Sequence, residues 1–123
     1  MELTLQILVT LATLMLLGLG TMSMFAPRRM TANFALEPVG TPGLSTIRSV
    51  MGGLFLASVA LLVNGLLTGE TLGFVIVALL MGAVALGRIV GILADGFDKA
   101  VVPPLVVELV IAGVLLTAHF SAV

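Results

Sequence analysis

Arg88 places a full positive charge inside a strongly apolar stretch, Met81-Gly-Ala-Val-Ala-Leu-Gly-Arg-Ile-Val-Gly-Ile-Leu-Ala-Asp-Gly96. At the middle of a membrane-spanning helix such a charge costs about 2.5–3.5 kcal/mol even on a lenient insertion scale, so it needs a partner. Asp95 follows seven residues later. On a helix the two share one face, about 10 Å apart along the axis. Two further charges stand near the starts of apolar stretches, Arg48 and Glu108. Acids and bases within about 4–6 Å favour each other's ionised form, which lets such groups survive burial. Two bases and two acids so placed have the chemistry to hold an anionic or polar head group or a quinone. The glycines Gly82, Gly87 and Gly91 follow helical spacing rather than a dinucleotide fingerprint, and the sequence contains no Walker motif and no nucleophile–base arrangement.

The elements that must position these charges are membrane helices. Of 123 residues 60% are hydrophobic and 9% charged, with mean hydropathy +1.33. A soluble domain has about 45–50% apolar and about 25% charged residues. With a net charge of −1 and no basic tail, nothing points to a nucleic-acid partner. The absence of cysteine excludes disulfides, thiolate metal sites and palmitoylation. His119 is the one histidine, which builds no metal site alone and reads as an interfacial, solvated residue. Trp and Tyr are absent, so Phe25 and Phe97 at one set of segment ends, and Phe74 and Phe120 at the other, stand in for an aromatic belt.

Along the chain, hydropathy predicts spans at about 3–25, 47–67, 72–94 and 103–120, all in a single integral domain, 1–123. The first lacks the basic flank and the short apolar core of a secretory signal. Between spans one and two, Arg28 to Leu36 predicts a short interfacial helix, and the Pro- and Gly-punctuated stretch after it, through Gly43, predicts irregular chain. Ser45 or Thr46 is then placed to cap the second span. Gly96 is placed as a left-handed end to the third, and Pro103-Pro104 fits the first turn of the fourth. The fold class is therefore all-α, a four-helix transmembrane bundle running up-down-up-down.

Arg28, Arg29, Arg48 and Lys99 lie in or beside the two loops on one side, whereas Glu2 and Glu70 lie on the terminus side. Positive-inside bias puts those loops in the cytoplasm and both termini in the periplasm. At the cytoplasmic end the depths match for two pairs, Arg88 with Glu108 and Arg48 with Asp95. Two small-residue faces are available for close helix packing: Ser49, Gly53 and Ala57, beside Gly52, on span two, and Gly87 with Gly91 on span three. The second, flanking Arg88, is expected to pack inside the bundle. The first is the candidate for self-association or for a larger membrane complex.

The pattern Ile47-Arg48 with Gly52-Gly53, then Gly87-Arg88-x-x-Gly91 with Asp95-Gly96, then Glu108, resembles a family of small bacterial four-helix membrane proteins of unknown function, near the DoxX-like proteins. The resemblance implies an inner-membrane four-helix fold with Arg48, Arg88, Asp95 and Glu108 as its polar positions. DoxX-like proteins have been linked to oxidoreductase or quinone systems, but this chain has no cofactor motif that matches. The reading favoured by the residues is a non-catalytic accessory subunit or a bundle binding a lipid or small ligand through the charged cluster. A membrane enzyme component acting on lipid or quinone, and a small transporter, are the alternatives. The same charges can also serve only to fix helix order and register.

Overall fold

The computed structural model of the protein, which describes residues 1–122, is all-helical. The long helices are α1 (Leu3–Phe25), α4 (Gly52–Thr68), α5 (Leu72–Asp95) and α6 (Val102–Ala122), with two seven-residue helices, α2 (Pro27–Asn33) and α3 (Gly40–Thr46), in the first connection. Among the described residues, four helices are long and apolar enough to cross a membrane, Leu3–Phe25, Gly40–Thr68, Leu72–Asp95 and Lys99–Ser121. Their outward faces confirm the solvent they are built for. Leu67, Leu79 and Leu93 are 81%, 69% and 82% exposed among many outward-facing apolar side chains, a surface suited to lipid. This is a multi-pass membrane protein.

α1 packs chiefly on α4 and α5 on α6, and weaker α4–α5 and α1–α6 contacts close the ring. Across α1 and α4 the contacting residues run in opposite senses, Gly20 lying against Leu56 while Met24 meets Gly52, and α4 and α5 meet where Gly65 lies against Phe74 and Gly73 against Leu61. The core forms where the four apolar stripes meet, around Val9, Leu16, Leu62, Phe74, Val77, Met81, Ile111 and Leu115. Buried hydroxyls in that core bond back along their own helices. Thr13 donates to the Val9 carbonyl at 2.8 Å, Ser23 to Leu19 at 2.7 Å and Ser58 to Leu54 at 2.8 Å. Each polar side chain is thus satisfied locally, with no polar partner needed from a neighbouring helix.

The first connection departs from the expected form. A short helix, α2, forms where one was expected but ends at Asn33, and the stretch expected to be irregular is helical from Gly40 onward. It runs through a wide π turn at Ile47–Met51 directly into α4. Pro42 sits in the first turn, where its missing N–H costs no hydrogen bond. Ser45 and Thr46 therefore lie inside the helix rather than capping it. Their turn is tied by Thr46 donating to the Pro42 carbonyl at 3.1 Å and Ser49 to Ser45 at 2.8 Å. At Gly96 the positive φ of 102° is present, but ψ of 163° leads the chain away extended instead of closing a left-handed turn.

The glycine faces are also corrected. A Cβ at Gly87 or Gly91 would meet nothing within 4 Å, so neither packs inside the bundle, and the same holds at Gly53. Close approach occurs at Gly52, where a Cβ would lie 3.2 Å from the Met24 backbone nitrogen, and at Gly65 and Gly73. The reason is rotational. The stripe of α5 that the core buries runs through Val77, Ala78, Met81 and Ala85, and Gly87 lies on an exposed face away from it. The tight α4–α5 approach lies instead beside their short connection, where Gly69 turns the chain with φ of 78°.

Candidate functional site

Arg88 reaches Glu108 across the α5–α6 contact. Its Nε donates to both carboxylate oxygens, to Oε2 at 2.8 Å and more closely to Oε1. The two positions meet because the helices run in opposite directions. Thr71 at the start of α5 lies 2.9 Å, hydroxyl to Nδ1, from His119 near the end of α6, and Arg88 and Glu108 meet most of the span away. From Asp95 back to Arg88 is seven residues, and from Val102 to Glu108 six, so the pair lies about 9–10 Å inside the helix ends. Glu108 is buried, and its side chain is 10% exposed against 27% for Arg88. The carboxylate is therefore the member most dependent on its partner.

The expected Arg48–Asp95 pair does not form. Arg48 donates from a terminal nitrogen to the Met24 carbonyl at 2.5 Å. That carbonyl belongs to the last turn of α1, where acceptors lack intrahelical donors and the helix end is partially negative. The wide turn at Ile47–Met51 accounts for the change of partner. One extra residue in a turn shifts helical phase by roughly 100°, so Arg48 faces α1 rather than α5. Asp95, exposed at the end of α5, stands clear of the three arginines of the first connection and of Arg88. Of the four predicted polar positions, the structure brings together Arg88 and Glu108 and leaves Arg48 and Asp95 apart. His119, read as solvated, is instead half-buried, partnered by the Thr71 hydroxyl and edge-on to Phe120 with ring centroids 5.1 Å apart.

The Arg88–Glu108 pair borders a cavity of about 280 Å³. Its walls are Met15, Leu16, Leu19, Phe34, Phe55, Met81, Val84, Pro104, Val107 and Ile111, so they are apolar apart from the pair itself. A second cavity, about 350 Å³, lies on the other side of Phe34 and Phe55 between α4 and α5, and Arg88 borders it too. Because Nε alone serves Glu108, both terminal nitrogens of Arg88 make no hydrogen bond to protein among the described residues. Up to four N–H donors are thus left without a protein acceptor on a residue that borders two largely apolar cavities.

Phe34, Phe55, Met81 and Val84 were not singled out in the sequence. The signal that could have found Phe34 is its position, a lone aromatic in a polar connection. Ala35 beside it takes φ of 54°, and Leu36 N donates to the Thr31 carbonyl at 3.0 Å, a turn that ends α2 and delivers Phe34 to the cavity wall.

The arrangement defines a class: small multi-pass helical membrane proteins with one ion pair buried between the last two helices at the rim of an apolar cavity. Within that class the chain belongs to the family called domain of unknown function DUF4345, whose model matches residues 4–119. No curated protein and no solved structure matches it.

Proposed function

We propose that the protein is a non-catalytic binding bundle that holds a small amphipathic molecule, with the ligand's polar end on Arg88–Glu108 and its apolar body in the adjoining cavity. One observation supports this reading: Arg88, whose terminal donors have no protein acceptor, borders a space otherwise walled by hydrocarbon apart from Glu108. Ligand sites have that composition, mostly apolar with a few convergent polar groups. A cavity of about 280 Å³ takes a ring or a head group and not a whole lipid, so the remaining chain runs out between helices. A quinone ring, one of the ligands weighed for the charged cluster, has carbonyl acceptors for those donors. A lipid head group with ester or phosphate oxygens offers the same acceptors.

Mass spectrometry of gently solubilised protein is expected to find one such molecule enriched over the bulk membrane extract. Val84→Trp, which fills the wall shared by both cavities, should lower its occupancy severalfold while the protein stays folded. Equal occupancy in the variant would remove the cavity from the account.

The same reading places the protein in a bacterial inner membrane in up-down-up-down order, with both termini in the periplasm. Support comes from Arg28, Arg29, Arg48 and Lys99 lying on the side of the two loops. The chain has no native cysteine, so single cysteines at Thr41 and Ser121 report orientation directly. An impermeant thiol reagent added to intact cells should label the Ser121→Cys protein and spare Thr41→Cys. The opposite pattern would reverse the topology.

A further inference from the structure

We propose that Arg28, Arg29 and Arg48 form a receptor for the phosphate of an anionic phospholipid head group, separate from the Arg88–Glu108 cavity. The three arginines, on α2 and on the helix running into α4, line one pocket of about 260 Å³, floored by Ala26, Pro27 and Leu44. Arg48 also borders a neighbouring hollow with the hydroxyl residues Thr41, Ser45 and Ser49. Arg48 is held in place by its bond to the Met24 carbonyl, which uses one terminal nitrogen and leaves the rest of the guanidinium to the pocket. Among the described residues the salt bridge that forms is Arg88–Glu108, and none of these three arginines has a carboxylate within bridging distance. Three cations thus converge without an acid to neutralise them, an arrangement that a phosphate completes with charge-assisted hydrogen bonds.

The level in the membrane selects the source of that phosphate. α1 ends at Phe25, so the pocket lies where the chain leaves the hydrocarbon and head-group phosphates are found. Phe25 and Val39 nearby are 70% and 84% exposed, an apolar border suited to acyl chains rather than to water. Basic pockets between membrane helices bind acidic lipid head groups in this way, at about 1 kcal/mol for each Lys or Arg near the surface.

Native mass spectrometry of the full chain, in detergent with equal amounts of phosphatidylglycerol and phosphatidylcholine, tests the proposal. Phosphatidylglycerol should be retained preferentially. Arg28→Gln with Arg29→Gln should reduce that preference by about fivefold for each arginine, the equivalent of about 1 kcal/mol apiece. Lys99→Gln removes one equal charge outside the pocket and should change nothing. Millimolar inorganic phosphate should not displace the lipid. Equal retention of the two lipids, or a loss in Lys99→Gln matching the loss per arginine, would overturn the receptor. Displacement by inorganic phosphate would overturn the lipid as its ligand. Arg88 and Glu108 are untouched throughout, so failure here leaves the cavity reading standing.

Discussion

Replacing Arg88 by Leu should destabilise the protein more than replacing Glu108 by Leu, and replacing both should cost less than either. The pair is a buried acid and a less buried base, side chains 10% and 27% exposed, joined through Nε. Taking away one member of such a pair leaves an uncompensated charge, worth about 3–5 kcal/mol in soluble precedents, whereas an apolar pair of similar volume is often neutral. The asymmetry follows from the side chains. A stranded Glu108 is short and held in the α5–α6 contact, with nowhere to go. A stranded Arg88 is long enough to carry its guanidinium toward the interface while its stem stays in hydrocarbon. Thermal unfolding in detergent of the two single variants and the double variant checks this order. Strict additivity of the losses would mean that the two side chains do not act on each other.

The second large effect belongs to the glycines and separates two groups that look alike in the sequence. A Cβ at Gly65 would press on the Phe74 ring, lie 3.1 Å from the Glu70 carbonyl oxygen and have no flexible side-chain end to push aside. Phe74 is fully buried at the centre of the core, so the ring cannot retreat without opening α4 from α5. Gly65→Leu should therefore cost about 3 kcal/mol or more, at or beyond the upper end of ordinary overpacking. Gly91→Leu places its side chain in open space and should change stability by no more than about 1 kcal/mol, on the favourable side because glycine is a poor helix former. Melting temperatures of the two variants in the same detergent decide it. A Gly91→Leu protein that fails to fold would restore the packing role its spacing suggested.

These two effects also mark how far the sequence reads. The four apolar segments, the short helix after the first and the presence of a charge needing a partner at Arg88 all follow from composition and helical period. The match of Arg88 with Glu108 was legible because equal depth on consecutive helices is a one-dimensional argument, fixed by rise per residue. Azimuth is not fixed that way. Their place beside Arg88 puts Gly87 and Gly91 in the interior, but the stripe of α5 that the core buries ends at Ala85 and leaves both glycines facing open space. Depth alone pairs Arg48 with Asp95, but one wide turn at Ile47–Met51 rotates it toward the end of α1. Nothing in the residues Ile47 to Met51 announces a π turn, since no proline marks the position. The cavity was hidden for a related reason. Its walls come from several helices and from Phe34, whose direction depends on the left-handed Ala35 that ends α2.

Exchanging the two charges, Arg88→Glu with Glu108→Arg, tests the central claim most directly. The swap keeps an acid and a base facing each other between α5 and α6, so a pair that serves only to fix register remains in place. It also moves the free guanidinium donors from α5 to α6 and puts a carboxylate at the rim of the cavity between α4 and α5. The measurement is the small-molecule content of the folded, monodisperse swapped protein, by mass spectrometry beside the unaltered chain. A binding bundle predicts a folded protein stripped of the molecule that the unaltered chain retains. A folded swap that keeps that molecule at the original level would contradict the account and leave Arg88–Glu108 as a helix staple.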